Sequence, residues 1–240
     1  MKILALDSTA GTSTVALCEN ERLVAEFSLN GGNTHSETLL PMIAEMLKDC
    51  ALSAKDVDVF ACAAGPGSFT GVRIGAATVK GVAFGSGKPC IGVSTLEALA
   101  YNLRGFDGII CPVMNARRGQ VYNALFSSNG DRLCNDRAIS IEELCAELVG
   151  KDETVWLCGD GTEITFNGFG GRVNSRKAPE RLKYQSAYSV AQLALAEYEK
   201  GVRPPDIELS PVYLRLSQAE RERLERESGS LENIERLKNK

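Results

Sequence analysis

The sequence predicts an α/β protein built from two related lobes, and three observations support this prediction. Hydrophobic residues make up 44% and charged residues 24% of the 240 residues, which is typical of a globular protein with a sizeable core. The first hundred residues alternate as three strands, helix, strand, helix, strand and helix. A looser version of this pattern begins again at Gly108, so we predict a duplicated fold in which each lobe has a sheet flanked by helices.

The elements of the first half follow from its apolar pattern. Three short segments predict an antiparallel meander, over residues 2–8, 12–18 and 22–29. A helix follows that Asn33 or Thr34 can cap and that runs through Cys50, with Pro41 marking a kink or a late start. The remaining predicted elements are a fully apolar strand over 57–64, a helix over 72–85, a strand over 91–94 and a helix over 95–104.

The second half predicts strands over 108–115 and 120–127, a helix over 140–150, a strand over 154–158, a helix over 186–200 and an extended piece over 211–215. Ser140 and Glu143 form a capping-box pattern at the start of the first of these helices. We expect an N-terminal lobe of residues 1–106 and a C-terminal lobe of residues 107–216, whose last helix can pack back on the first lobe. Residues 217–240 form a charged tail, which we interpret as a solvated helix or a disordered segment.

The counts of charged residues, histidine and cysteine exclude several classes of protein. A net charge of −4 argues against direct binding of nucleic acid. His35 is the single histidine and Leu39 stands four residues after it, so HExxH zinc sites and sites built on several imidazoles are excluded. The eight cysteines have no CxxC or CxxxxC spacing and are expected in the core. No signal peptide and no long apolar segment is evident, so we expect a cytoplasmic protein without membrane contact.

Two segments could bind an anion. Hydroxyls and backbone amides around Asp7, Ser8, Thr9 and Thr12 could cradle phosphate, with the aspartate near a metal, although a hydroxyl-rich hairpin needs no ligand. The stretch GPGSFTG opens a helix, and it lacks the GK[ST] end of a P-loop. A Gly-Ser-Gly-Lys run at 85–88 is rejected because Pro89 follows it. We interpret GPGSFTG as a structural turn made by Gly65, Pro66, Gly67 and Ser68.

The two helices that flank this turn have more apolar surface than one sheet can cover. The helix before the turn has a wide apolar arc with methionines, and the helix after it carries only two charges, with a stripe of small residues opposite them. We predict a partner interface there, although the second half of the chain could cover the same faces. A charge at Gly75 or Met42 is expected to abolish the complex and leave the fold intact. The predicted interface residues are His35, Leu39, Met42, Met46, Gly71, Arg73, Gly75, Thr78 and Val82.

Several motifs resemble those of the bacterial TsaB (YeaZ) family. They are ILALDSTAGTSTVAL, His35-Ser36-Glu37 with Leu39-Leu40-Pro41, GPGSFTGVRIG, Gly92–Leu96 (GVSTL), Asn115–Tyr122 (NARRGQVY) and Ser210–Arg215 (SPVYLR). The resemblance implies an actin/Hsp70/sugar-kinase-like (ASKHA) duplicated fold. It also implies a role in threonylcarbamoylation of the adenosine 3′ to the anticodon in tRNAs that read codons starting with A. The older name of this superfamily is glycoprotease.

The resemblance further implies a non-catalytic subunit. In such systems a related subunit, TsaD, holds a metal through an HxxxH pair and performs the transfer, while TsaE, an ATPase, joins the complex. This family dimerises with TsaD through its N-terminal helices, self-associates by the same face, and reaches tRNA only through the complex. Leu39 breaks the HxxxH pair here, and Asn115 stands where aspartate is more frequent. No tightly bound cofactor is implied, while ATP or ADP at the junction with the partner stays open.

Two alternatives remain at this point. A nucleotide-binding phosphotransferase of the same fold would use Asp7 and its hydroxyl-rich hairpin. A peptidase would have to combine Ser68 with His35, and nothing in the sequence supplies a third group to orient that pair. Whether the isolated chain is a monomer or a homodimer is not fixed by the sequence.

Overall fold

The computed structural model describes residues 1–32 and 34–215, and it contains two five-stranded mixed sheets. The candidate cap Asn33 and the predicted charged tail over 217–240 lie outside the described residues.

The N-terminal sheet has the order β3-β2-β1-β4-β5. The three predicted strands of the meander pair in antiparallel fashion, while β4 and β5 run parallel to β1. Strand β4 is buried along its whole length, as expected for a central parallel strand. The strand bounds are β1 Lys2–Asp7, β2 Ser13–Glu19, β3 Arg22–Leu29, β4 Val59–Gly65 and β5 Cys90–Ser94.

The C-terminal sheet repeats this arrangement, with the order β8-β7-β6-β9-β10. Strands β6, β7 and β8 pair in antiparallel fashion, and β9 and β10 are parallel to β6. The predicted duplication is therefore confirmed. The sequence analysis missed β8 and β10, which alternate little and are only partly buried. The bounds are β6 Ile109–Arg117, β7 Gln120–Phe126, β8 Arg132–Ser140, β9 Val155–Cys158 and β10 Ser175–Lys177.

Seven α-helices are present among the described residues. The first begins at His35 and continues through Pro41, so the late start considered for it is wrong. The second begins at Phe69, three residues earlier than predicted, because the Ser68 side chain accepts a hydrogen bond from the Gly71 N–H and caps it. Two further helices after β9 were not predicted. The bounds are α1 His35–Asp49, α2 Phe69–Ala83, α3 Thr95–Tyr101, α4 Ile141–Leu148, α5 Thr162–Phe169, α6 Glu180–Lys183 and α7 Ala187–Glu199.

Helices cover both faces of the N-terminal sheet. Helices α1 and α2 bury one face, while α7, which comes from the second half of the chain, buries the other through a stripe that includes Val190 and Ala194. The N-terminus of α7 is held by Glu26 of β3, whose Oε1 accepts from the Ser186 hydroxyl (2.8 Å) and the Tyr188 N–H (3.1 Å). This arrangement interlocks the two halves of the chain.

A small hydrophobic core made of residues from both lobes joins the lobes at the β1–β2 turn. Ala10 packs there with Leu96 and Leu99 of α3 and with Ile110 and Met114 of β6. The carboxyl ends of the parallel strands of both sheets therefore lie near the same cleft. No helix among the described residues has the length and apolar character needed to cross a membrane.

Candidate ligand cleft and partner face

The cleft between the lobes has a volume of about 740 Å³. The N-terminal lobe contributes the β1–β2 turn and the turn at the start of α2, while the C-terminal lobe contributes the end of β6 and Asp160. The chain after α7 closes one side of it. We call residues 202–215 the strap, of which Val212, Tyr213, Leu214 and Arg215 line the cleft.

Of the four residues predicted to bind phosphate, Thr9 lines this cleft and the other three do not. Asp7, Ser8, Thr9 and Thr12 are all buried. The Ser8 hydroxyl donates to the Gly71 carbonyl (2.9 Å), and the Thr9 hydroxyl and N–H both donate to Asp7 Oδ1 (2.7 and 2.8 Å). These contacts shape the turn. The hairpin presents Thr9, Ala10 and Gly11 to the cleft, with the Ser8 and Thr9 hydroxyls already engaged.

Asp7 nevertheless differs from an ordinary buried residue. Its Oδ2 has no hydrogen-bond partner among the described residues. Burial raises the pKa of the carboxyl from its ordinary 3.8 to about 6, against the two hydrogen bonds from Thr9, which lower it. Within the described parts of the chain, no three His, Cys, Asp or Glu side chains lie close enough together to hold a metal ion.

The GPGS turn connects β4 to α2 and approaches two other segments closely. Gly65 has a φ of +116°, and a Cβ there would overlap the Val212 carbonyl of the strap. A Cβ on Gly67 would collide with the backbone of Thr9, whose carbonyl accepts from the Ser68 N–H (2.7 Å). Because both glycines are needed for close backbone contacts, the turn acts as the structural connection that the sequence indicated.

His35 joins the start of α1 to the β1–β2 hairpin. Its Nε2 donates to the Ala10 carbonyl (2.7 Å), because a carbonyl can only accept, and its Nδ1 lies 2.7 Å from the Ser13 hydroxyl. Ser68 instead caps α2. The ring nitrogens are thus engaged away from Ser68, and the geometry gives the peptidase alternative no nucleophile–base pair.

Several residues predicted for the partner interface face the interior instead. Leu39 and Met46 belong to the core between the sheet and the two helices. Gly71 and Gly75 are buried against β1: a Cβ on Gly71 would overlap the Ser8 carbonyl, and one on Gly75 would lie 2.7 Å from Ser8 Oγ. The small-residue stripe at Gly71 and Gly75 therefore lets α2 approach its own sheet, and a charge at Gly75 would damage the fold.

The outward side of α1 and α2 carries a different set of small and apolar residues. Leu40 is 53% exposed and Phe84, which caps α2, is 83% exposed. A Cβ on Gly81 would meet no atom within 4 Å. Met42, Thr78 and Val82 are half-buried and Arg73 is exposed at the edge of this surface. We call the exposed small and apolar residues the α1–α2 face, made of Leu40, Pro41, Ala44, Ala77, Gly81 and Phe84. Glu37 and Lys48 of α1 are exposed beside them.

The strap was missed as a functional element, although its SPVYLR motif was noted. The Lys80 ammonium donates to the carbonyls of Ile207 (3.3 Å) and Leu209 (2.9 Å), and the Val212 N–H donates to the Ala64 carbonyl (2.7 Å). Arg215 then reaches the C-terminal lobe, where its Nη1 donates to the Ala116 carbonyl (2.9 Å). The strap thus connects α2 and β4 to the far wall of the cleft.

Asp160 is the acidic residue of the cleft, and sequence reasoning did not select it. Its Oδ1 accepts from the Asn115 N–H (3.1 Å), and the Asn115 Oδ1 accepts from the Arg117 N–H (2.8 Å). Desolvation by the surrounding protein raises the pKa of the Asp160 carboxyl above its usual range, while backbone N–H groups oppose the shift. Asp160 could have been selected from the sequence because it stands in a Gly-Asp-Gly segment directly after a buried strand.

Comparisons with known proteins agree with this geometry. The family model described as "TsaD: tRNA N6-adenosine threonylcarbamoyltransferase" matches residues 28–220. The tRNA threonylcarbamoyladenosine biosynthesis protein TsaB of Bacillus subtilis (strain 168) is 36% identical over 167 residues, which are 68% of this chain and 73% of that protein. A solved Pseudomonas aeruginosa structure, described by similarity to peptidase YeaZ, has a TM-score of 0.78 at 25% identity and covers 89% of this chain and 99% of that chain.

A more distant neighbour shows the fold alone. The ADPNP-bound activator of 2-hydroxyisocaproyl-CoA dehydratase from Clostridium difficile has a TM-score of 0.50 at 12% identity, covering 85% of this chain and 98% of that chain. Together with the two sheets of equal strand order, these similarities confirm the ASKHA-type fold. The chain belongs to the TsaB (YeaZ) family of tRNA threonylcarbamoyladenosine biosynthesis proteins.

Proposed function

We propose that this protein is the non-catalytic subunit of a tRNA threonylcarbamoyltransferase, and that it pairs with a TsaD-like catalytic subunit through the α1–α2 face. A TsaE-like ATPase joins this complex, and a homodimer uses the same face when the catalytic subunit is absent. Since the substrate is tRNA, we propose a cytoplasmic location. The observation that carries the proposal is the set of exposed apolar and small residues on two adjacent helices of a chain that belongs to this family.

The chemistry of His35 supports the non-catalytic role. A metal pair of the HxxxH type needs two histidines one helical turn apart, and the chain has one histidine, whose ring nitrogens contact Ala10 and Ser13. Leu39, at the second position of such a pair, is a core residue. The site at which the catalytic paralogue binds metal is thus used here to fix α1 to the hairpin.

The composition of the α1–α2 face supports its use as an interface. Two large apolar side chains are exposed on it, Leu40 of α1 and Phe84 at the end of α2, and the small residues Ala77 and Gly81 of α2 allow another helix to approach closely. Arg73 lies at the edge of this face, and its guanidinium turns to Tyr213 of the strap. An interface between helices needs apolar anchors, which Leu40 and Phe84 provide, and the exposed charges of Glu37 and Lys48 suit its polar rim.

Size-exclusion chromatography of the full chain with its cognate TsaD-like subunit tests the proposal. The wild-type proteins should co-elute at micromolar concentration, and Leu40→Glu should abolish co-elution because it would bury an unpaired charge. Leu133→Glu is the matched control, since Leu133 is 56% exposed on β8 of the other lobe. Failure of the wild-type pair to co-elute, or equal loss with both variants, would contradict the proposal.

We further propose that the isolated chain binds no nucleotide tightly and that any ATP or ADP occupies the junction with the partner. The hydroxyls of Ser8 and Thr9 are engaged in internal hydrogen bonds, and Asp160 adds negative charge to the cleft. Calorimetric titration of the isolated chain with ATP and magnesium should therefore give no binding heat. Tight binding with phosphoryl transfer to any acceptor would instead favour the phosphotransferase alternative.

A further inference from the structure

Four arginines surround the mouth of the cleft, and we call them the arginine rim. Arg117 and Arg215 line the cleft, and Arg118 follows in the β6–β7 turn. Arg73 contacts two cleft-lining residues, since its guanidinium lies over the Phe69 ring and donates to the Tyr213 hydroxyl. Arg73, Arg117 and Arg118 are exposed. None of the four forms an ion pair with a carboxylate of residues 1–32 or 34–215. Positive charge is thus concentrated at one place on a chain whose net charge is −4.

Neutral groups orient two of these guanidinium groups. The Arg73 Nε donates to the Tyr213 hydroxyl (2.7 Å), and its Cζ lies 3.9 Å from the centre of the Phe69 ring. Arg215 donates one N–H to the Ala116 carbonyl. Such contacts fix the direction of a guanidinium without neutralising its charge, and they leave other N–H donors for an anion.

The backbone of the β6–β7 turn adds an independent observation. Arg117 and Arg118 have φ values of +63° and +54°, in the left-handed region that favours glycine, and Gly119 follows at +72°. The Asn115 side chain holds this turn by accepting from the Arg117 N–H. Two consecutive arginines in this conformation are disfavoured for folding alone, so a role for their cationic side chains at the cleft mouth accounts for them.

Aromatic rings accompany the rim. Tyr213 is 41% exposed and packs against Phe69 with ring centres 4.8 Å apart, and Tyr122 also lines the cleft. Arginines interleaved with accessible aromatic rings are typical of surfaces that bind single-stranded or looped RNA, because phosphates pair with the guanidinium groups and bases stack on the rings.

The geometry favours an extended anion over a compact one. A small phosphate ligand needs donors that converge in the cleft, but the Ser8 and Thr9 hydroxyls are engaged elsewhere and Asp160 adds a carboxylate. The arginines are instead distributed over α2, the β6–β7 turn and the strap. A polyanion whose phosphates repeat along a chain matches this distribution better.

We propose that the arginine rim binds the phosphate backbone of RNA, and that in the assembly proposed above this RNA is the tRNA substrate. The inference rests on the proposed function and extends it, because this chain then contributes contacts of its own to the substrate. Since the whole chain is acidic, its contribution is expected within the complex, where the catalytic subunit supplies the remaining affinity.

The test uses the assembled complex of the full chain with its TsaD-like subunit and a fluorescently labelled, unmodified tRNA. Affinity is measured by anisotropy at several salt concentrations for wild type and for Arg117→Gln/Arg118→Gln. The double variant should bind about tenfold more weakly, and the slope of log affinity against log salt should fall by about 1 for each phosphate that an arginine no longer neutralises. Arg117→Lys/Arg118→Lys keeps the charge and should retain most of the affinity.

Lys55→Gln/Lys151→Gln is the matched control. Both lysines are exposed and precede β4 and β9, at the ends of the two sheets opposite the cleft, so this variant removes equal charge at a distance. It should bind tRNA like wild type. Co-elution of each variant with the catalytic subunit is checked first, and absence of a wild-type complex would count against the proposed function instead.

The inference is overturned if the complex assembles and Arg117→Gln/Arg118→Gln binds tRNA with wild-type affinity and salt slope, or if the lysine control weakens binding equally. A competition with ATP and magnesium separates RNA from free nucleotide. ATP should leave tRNA bound to the wild-type complex. Displacement of tRNA by ATP that disappears in Arg117→Gln/Arg118→Gln would assign the rim to nucleotide and would also overturn the proposal.

Discussion

The two lobes have the same strand order and pairing, yet they differ next to the cleft. The last pair of the β1–β4 ladder is Leu6 with Cys62 and that of the β6–β9 ladder is Pro112 with Cys158, so the residues that follow are Asp7 in one lobe and Val113 in the other. Both are buried, and the antiparallel neighbours are Thr14 and Asn123. The ladder is thus followed by a buried carboxylate in the N-terminal lobe and by a buried apolar side chain in the C-terminal lobe.

The lobes also differ in how helices cover their sheets. In the N-terminal lobe α2 lies so close to the end of β1 that two of its residues must be glycine, and α7 arrives from the second half of the chain to cover the opposite face. In the C-terminal lobe α4 and α5 cover one face, with Leu144 and Phe169 in that core. The close packing of α2 and the helix α7 supplied by the second half of the chain are both found in the lobe that carries the proposed interface.

The largest effect is expected from Gly71→Ala, which tests the close contact between α2 and β1. The added methyl group would overlap the Ser8 carbonyl, so the free energy of unfolding should fall by about 3 kcal/mol or more. Urea denaturation measures this change. Gly81→Ala, on the outward side of the same helix, is the control and should raise stability by about 0.5–1 kcal/mol because it relieves the entropy cost of glycine in a helix. Equal effects of both changes would show that α2 does not pack as described.

Asp7→Asn tests whether the buried carboxyl of Asp7 makes the stability of the protein depend on pH. The folded-state pKa of Asp7 is about 6 and its ordinary value is 3.8, so between these values the folded protein retains a proton that the unfolded chain releases. The contribution of Asp7 to stability therefore falls as the pH rises through this window, by about 2–3 kcal/mol. Asp7→Asn should match wild type near pH 4 and be more stable at pH 8. Denaturation curves at several pH values measure this, and parallel pH profiles would contradict it.

A smaller effect is expected from Glu26→Ala, which tests how the second half of the chain is attached to the first lobe. Glu26 supplies the acceptor for the N-terminus of α7, since the Ser186 side chain makes no cap there. Its removal should lower the free energy of unfolding by about 1–2 kcal/mol. Glu21→Ala is the control on the same hairpin, because the Glu21 side chain is exposed and makes no ion pair within the described residues. Thermal denaturation of both variants should separate them.

Turns follow from local residue preferences in the sequence, whereas the direction of side chains does not. GPGSFTG was identified as a structural turn because glycine, proline and serine have strong local preferences, and the capping box of Ser140 and Glu143 is present for the same reason. Gly71 and Gly75 were assigned to a partner because a small-residue stripe does not say which neighbour approaches it. Asp160, the strap and the arginine rim were missed because their place at the cleft depends on contacts between segments that are far apart in the chain.

The sequence by itself determined the order of elements in the first half, the duplication and the presence of a single histidine, because these depend on local apolar periodicity, on turn residues and on composition. Only the tertiary structure decided that Ser8 and Gly71 touch, that His35 binds the hairpin, and that Arg73 and Arg215 meet at one cleft. These contacts depend on the register of strands and on the path of the strap between lobes. A contact between residues about a hundred positions apart leaves no periodic signal in either segment, so it becomes visible only once the two lobes are folded together.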